Sequence, residues 1–309
     1  MGIDQKVYVC VDDTDDLTKT TSTGSIADEI GRRVSEEFGA EIHMGITRHQ
    51  LLLDERVPYT SHNSSMCFDI DLTAGAAARV DEIGWEVIRA RRAESSNPGL
   101  CILTLPDEDD HIKEVLIRFG QRAKNELVTV KEAEETAAQF SEIILRGEGK
   151  TAQGMIGALA GVGLRLSGDD GRFRGKYDLT GIADDPCGTV EHCMEGLNKD
   201  RGVEAVFADP DGNVLDVQEQ IVLVDGAKAV LKNGRMTFLC TPEDRLWIPH
   251  RKDNFNKKRK KRPSCEFFEL DPDEEERFHE TERRTCGACL YRRLTGNDYI
   301  CSAGHDTIV

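Results

Sequence analysis

The stretch Lys6-Val-Tyr-Val-Cys-Val-Asp-Asp-Thr-Asp-Asp16, followed after a Thr- and Ser-rich segment by Gly24-Ser-Ile-Ala-Asp-Glu-Ile-Gly-Arg-Arg-Val-Ser-Glu-Glu-Phe-Gly39, decides how this chain begins to fold. Tyr8 to Val11 is apolar without helical spacing, so it reads as a strand stopped by aspartates. Ile26, Ile30, Val34 and Phe38 recur every four residues and form the apolar stripe of a helix that ends at Gly39. The acidic segment therefore lies between a strand end and a helix start.

Working outward, Ile42–Thr47 and Met66–Leu72 read as strands, and a helix is expected over 76–92. Asn97-Pro98-Gly99 is a turn signal before a short buried strand at Leu100–Leu105. Residues 110–124 and Lys131–Leu145 carry helical spacing. A glycine-rich turn, Gly147 to Gly154, leads into an Ala/Gly-rich helix over Met155–Val162. From Val203 the texture changes to short apolar runs separated by Asp211-Gly212, Asp225-Gly226 and Asn233-Gly234, which predicts a small β meander. Strands mixed with helices give an α/β or α+β class with mixed sheets, strand order undecided.

The chain has 309 residues, 39% of them hydrophobic and 31% charged, with a net charge of −17. No apolar run approaches the about 18 residues that a membrane span requires, and no signal peptide precedes the first strand, which predicts a cytoplasmic protein. The ten cysteines, several inside apolar runs (Cys10, Cys67, Cys101, Cys240), read as reduced core thiols and metal ligands. Residues 1–250 carry 27 Lys/Arg against 45 Asp/Glu, whereas 251–309 carry 13 against 12. Any attraction for a polyanion is thus concentrated in the tail. The run Lys257-Lys-Arg-Lys-Lys-Arg262, with Phe255, Phe267 and Phe268 nearby, gives 251–262 a capacity for weak RNA binding.

Cys286-Gly-Ala-Cys289, then Cys301 and His305, has the spacing of a zinc ribbon whose ligand pairs flank a hairpin from Leu290 to Ile300. Cys286, Cys289, Cys301 and His305 are the expected Zn2+ ligands, with Cys265 and His279 as alternatives for the fourth position. The expected organisation is 1–165, a compact middle and β region at 166–250, a charged linker and helix at 251–284, and the ribbon at 285–309.

Aspartates packed into a strand-to-helix loop repel one another unless a cation offsets their charge. Hard ions such as Mg2+ take one or two such carboxylates and leave the other positions to water and phosphates. The hydroxyls from Thr20 to Thr23, at a helix N-terminus, add donors for an anion.

Val11-Asp-Asp-Thr-Asp15 with its Thr-rich continuation, Arg48 followed by Val57-Pro-Tyr59 and Asn63, then Asn97-Pro-Gly99, then Gly154-Met-Ile-Gly157-Ala-Leu-Ala, together resemble the kinase-like domain of the archaeal isoleucine-tRNA agmatinylcytidine synthetases over about residues 5 to 165. The resemblance implies an ATP- and Mg2+-dependent transferase or ligase-like enzyme that activates an acceptor by phosphoryl transfer, with a nucleic acid or a small amine as acceptor. By position it implies that Asp12, Asp13 and Asp15 handle metal and triphosphate and that Thr23 accepts phosphate. It places Arg48, Asn63, Gly154 and Gly157 around the nucleotide. The chain departs from the family in its Asp16–Thr23 loop and in Thr60-Ser-His-Asn63, and 203–248 is too short for the family's further domains, an OB-fold included. Two other readings are a non-catalytic nucleotide-binding regulator and an RNA-binding protein working through the basic run and the ribbon. The histidines at 43, 49, 62, 111, 192 and 250 show no ligand spacing, and no role is expected for them.

Overall fold

The computed structural model describes residues 4–15, 21–54, 56–57, 63–106, 109–183 and 185–251 (backbone alone at 200–201), and the backbone of 292–295 and 298–301. The chain divides into two units, Met1–Gly171 and Arg172–Val309. The class is the mixed α+β one expected from the sequence.

In the first unit, β1 (Asp4–Asp12) lies at the centre of an antiparallel sheet. On one side it pairs with β3 (Ser64–Thr73), which pairs with β2 (Thr47–Gln50). On the other it pairs with β4 (Gly99–Leu105), which pairs with β5 (Ile143–Gly147). Because side chains alternate across a strand, Val7, Val9 and Val11 enter one core with Met66, Phe68, Ile70, Leu100 and Ile102. Cys10 enters a second core with Cys67, Cys101 and Leu103. Helices α1 (Thr23–Phe38) and α2 (Ala77–Arg91) cover the first face. Helices α3 (Asp110–Asn125), α4 (Val130–Ala137) and α5 (Gly154–Leu166) cover the second. Double-sided burial explains the unbroken apolar run of β1. The small residues of α5 let it lie close to the sheet: a Cβ at Gly161 would overlap Cys10 Sγ and Ser65 Oγ.

Three expectations are corrected. The helix over Lys131–Leu145 stops at Ala137, and Ile143–Gly147 forms β5 instead. The β-branched Ile143 and Ile144 pair with Leu103 and Ile102, and tertiary pairing overrides the helical spacing. The strand over Ile42–Thr47 is broken, leaving a bridge from Ile42 to Ile70 and Thr47 as the first residue of β2, because Met44 and Gly45 take positive φ (56° and 102°) between them. Among the described residues of the second unit, only β10 (Ala229–Lys232), β11 (Arg235–Glu243) and β12 (Leu246–Pro249) form a meander, with Asn233-Gly234 turning between β10 and β11.

The rest of that unit is not a meander. β6 (Arg172–Phe173) pairs with β10, β8 (Ala205–Ala208) runs parallel to β11, and β9 (Gln220–Val222) runs parallel to β12 and antiparallel to β7 (Cys187–Thr189). Helix α6 (Val190–Arg201), capped by Thr189, was not anticipated. Phe207 stacks on Phe238 and Tyr177 meets the same ring edge-on, each with centroids 5.1 Å apart. β13 (Arg292–Thr295) and β14 (Asp298–Cys301) form a hairpin within the expected ribbon. No helix among the described residues is long and apolar enough to cross a membrane.

Candidate functional site

At the carboxyl end of β1 the chain turns sharply toward α1. Asp12, the last residue of the strand, pairs with Gly99 and is buried, its carboxyl packed against α5. Asp13 follows at φ 52°, a left-handed conformation that aspartate tolerates better than most side chains. Its carboxylate accepts from Gln153 Nε2 at 3.1 Å, and the Asn97 backbone N–H donates to it as well. The Thr14 hydroxyl donates to Thr23 Oγ1 at 3.0 Å, and the Thr14 carbonyl accepts from Ala93 N–H at 2.9 Å. Asp15 Oδ2 accepts the Thr23 backbone N–H at 3.1 Å, so a carboxylate sits on the first turn of α1, where the helix dipole favours negative charge. Ser22 caps that helix in a reciprocal capping box with Ser25.

Three glycines bring α5 against this turn. A Cβ at Gly157 would overlap the Asp12 carboxylate, and a Cβ at Gly154 would meet the Asn97 carbonyl oxygen at 2.6 Å and that of Asp12 at 2.8 Å. Gly99 faces Gly154 backbone to backbone, and Gly154 N–H donates to Asn97 O at 2.9 Å. Asn97-Pro98-Gly99 and the start of α5 thus form the floor under the acidic turn. Burial raises the Asp12 carboxyl far above the ordinary carboxylate range, and the charges of Asp13 and Asp15 push it further. Burial also lifts Asp13, against the opposing donors from Gln153 and Asn97.

The structure therefore joins Asp12, Asp13, Asp15, Thr23, Gly154 and Gly157 at one place. Arg48 and Asn63 are held by the neighbouring strands. Arg48 lies opposite Met66, which in turn lies opposite Val11. Arg48 Nε donates to Ser64 Oγ at 2.9 Å, while its second terminal nitrogen is buried with no hydrogen-bond partner among the described residues. Asn63 pins the chain after β2: its Nδ2 donates to Leu52 O at 2.6 Å and its carbonyl accepts from Leu51 N–H at 2.7 Å.

Among the described residues no group of three or more His, Cys, Asp or Glu side chains could hold a metal ion. The donor set suits a hard cation carrying water and phosphate oxygens as its other ligands, for which one or two carboxylates suffice. Two of the three aspartates of the turn are already engaged, Asp13 by Gln153 and Asn97 and Asp15 by the Thr23 N–H. Of the expected zinc ligands, Cys301 ends β14, whereas Cys286, Cys289 and His305, with Cys265 and His279, lie outside the described residues, as does the basic run.

Sequence reasoning missed Gln153, which sits in a loop read as a plain turn. It also missed His43 and His49. His49 is wholly buried, bonded to Thr47 Oγ1 at 2.7 Å and to Asp170 Oδ1 at 2.9 Å, with Lys124 pairing Asp170. Burial keeps its ring neutral by lowering its affinity for a proton, despite Asp170. The Asp170–His49–Thr47 chain has the order of a hydrolytic triad, yet Thr47 is fully buried and its hydroxyl is taken by Arg165 NH1 and Cys67 O, so it attacks nothing.

The first unit is thus an antiparallel sheet layered between helices, with an acidic strand-to-helix turn at the end of its central strand resting on a glycine-lined helix. The chain is 27% identical over 167 residues to TiaS, the isoleucine-tRNA 2-agmatinylcytidine synthetase of Pyrococcus horikoshii, a match covering 52% of this chain and 36% of that protein. The likeness extends over about half of this chain, which spans about a third of the curated relative it matches. Among solved structures it is similar to TiaS in complex with its isoleucine tRNA and ATP (24% identity, 52% of this chain and 36% of that one, TM-score 0.44). It is also similar to TiaS in complex with the same tRNA, AMPCPP and agmatine (18% identity, 63% and 45%, TM-score 0.43). No family model matches the chain.

Proposed function

We propose that the first unit is a kinase-like domain that binds ATP with Mg2+, and that the protein is a transferase or ligase-like enzyme that activates an acceptor, a nucleic-acid base or a small amine, by phosphoryl transfer. One observation carries this reading: at the end of β1 Asp15 meets the first turn of α1, while Asp13 and Asp12 rest on Gln153 and on the α5 glycines. Phosphoryl transfer is mostly positioning and charge neutralisation, and this turn offers both. When bound, Mg2+ supplies the charge that draws the phosphates onto the turn. Asp12, Asp13 and Asp15 would hold it and the triphosphate, with Gln153 and Asn97 orienting Asp13, and Thr23 at the start of α1 would accept the phosphate. Arg48, with a buried nitrogen in need of an acceptor, answers phosphate charge from the β2 side. Zinc in the ribbon and RNA along 251–262 complete the reading.

The buried, hydrogen-bonded Thr23 hydroxyl favours one rival, a regulator that binds ATP without transferring its phosphate. Calorimetry with ATP and Mg2+ followed by a turnover assay decides. Binding and turnover are expected in the parent. Losing one charge-compensating group commonly costs a factor of about a hundred to a thousand in rate, and Asp15→Asn should show that loss. Thr23→Ala should bind ATP without accepting phosphate. Stoichiometric binding with no turnover favours the regulator, and a parent that gives no heat and no thermal shift ends the ATP reading.

A further inference from the structure

Beyond the acidic turn, a second constellation joins the link between α1 and β2 to the sheet. His43 Nδ1 lies 2.9 Å from Asp69 Oδ2 and its Nε2 lies 3.1 Å from Asp71 Oδ2. A neutral imidazole has one N–H and one lone pair, so only the doubly protonated ring donates to both carboxylates. The same residue is tied down through its backbone. His43 N–H donates to Asp69 O at 2.9 Å, and its carbonyl accepts from Arg165 NH2 at 3.0 Å. Directly after it, Met44 and Gly45 both take positive φ (56° and 102°), and Gly45 N–H folds back on the His43 carbonyl at 2.6 Å. A methionine in the left-handed region is strained and persists only where its surroundings impose it.

We propose that His43 is a proton-operated clasp: its ring, bridging Asp69 and Asp71, holds the strained turn at residues 43–45 and with it the entry of β2, the strand that carries Arg48, and loss of the ring proton releases that turn. The groups facing His43 are Asp69 and Asp71 from β3, Lys6 of β1, 3.7 Å from Asp69, and the Arg165 guanidinium of α5, which also binds Asp69. Tyr8 of β1 lies in the same field and is neutral, because burial first and Asp69 second raise its pKa. The Asp69 hydrogen bond raises the His43 pKa above its ordinary value, while burial and then Lys6 oppose it. The folded chain therefore keeps a proton that the unfolded chain releases. The clasp acts in full below about pH 6.5 and is lost as pH rises through the folded value.

The test uses the full chain and does not depend on ATP. Proton NMR follows the imidazole resonances of the eight histidines, with His43 assigned by its loss in His43→Gln. Hydrogen exchange, corrected for intrinsic rate, follows residues 40–52 against 77–91 from pH 5 to 9. We expect His43 to titrate above the free value and opening of 40–52 to rise by up to about tenfold per pH unit across its window. The 77–91 segment should show no such rise, and His43→Gln should flatten it. Asp71→Asn, at a half-exposed position, should lower the His43 midpoint and serves alone where His43→Gln fails to fold. A His43 midpoint at or below the free value, one unmoved by Asp71→Asn, or equal pH profiles for 40–52 in parent and His43→Gln would overturn the clasp.

Discussion

Adding one methyl group at Gly157 should test the geometry on which the candidate site rests. An ideal Cβ there overlaps the Asp12 carboxylate, stands 2.6 Å from Asp12 Cγ and 2.9 Å from Leu51 Cδ1, whereas ordinary contact begins at 3.4 Å. At least about 0.8 Å must be found between α5 and β1, and overpacking of this kind costs about 1–3 kcal/mol. The helix cannot retreat, since Gly154 abuts Gly99, Gly161 abuts Cys10 and Ser65, and Arg165 grips Asp69. The cost should fall in the upper half of that range, lowering the melting point of a unit this size by about 4–12 °C.

In an Asp12→Ala background the obstructing Cγ and oxygens are gone, and Leu51 can turn its tip. Ala also exceeds Gly in helix propensity by about 1 kcal/mol, so Gly157→Ala should then be close to neutral. The coupling between the two changes should reach about 1–3 kcal/mol. Urea and thermal melts of the four chains, followed by Trp85 fluorescence with Trp247→Phe in the background, measure it. An equal cost in both backgrounds would refute the packing of Asp12 on α5, as would no cost in the parent.

Asp12→Asn should raise the melting point of the ligand-free protein. Because the folded Asp12 pKa lies above the unfolded value of about 3.9, stability is lost as pH rises from there through the folded value, and melts from pH 4 to 8 should lose that component in the variant. Arg165→Met leaves the buried Asp69 carboxylate without its main partner and should cost about 3 kcal/mol, the lower end for a broken buried pair, since His43 and Lys6 still face Asp69; denaturant melts measure it. About one zinc per chain is expected from the four-ligand ribbon; metal analysis should find it in the parent and lose it in Cys286→Ser with Cys289→Ser, while the first unit stays folded.

Much of the first unit was legible because its signals are local. The four-residue spacing from Ile26 to Phe38 and the glycine at 39 gave α1 within a residue of its ends. The order of strands was not legible, because a run apolar on both faces is the usual mark of a parallel sheet, and nothing in Val7–Val11 announces antiparallel neighbours. The site was half legible. Its carboxylates and threonine stand together in sequence, but Gln153 reaches Asp13 across 140 positions. His43 and His49 gave no signal either, since their carboxylate partners come from β3 and from Asp170, with no shared spacing.

The separation between β1 and α5 also sets an order of assembly. Cys10 and the Gly157 carbonyl it faces are 147 positions apart, so at about 5–20 residues per second of synthesis the central strand waits many seconds for the helix that seals its second face. Over that interval a nascent chain ending before Gly154 presents Cys10, Cys67 and Cys101, neighbours across three strands, as reachable thiols on an apolar surface suited to chaperone capture. Emergence of α5 closes the row and, in the same step, seats Gly157 on Asp12. The acidic turn is therefore completed by the same element that covers the cysteine row, and a thiol reagent applied to arrested chains of increasing length would time both events at once.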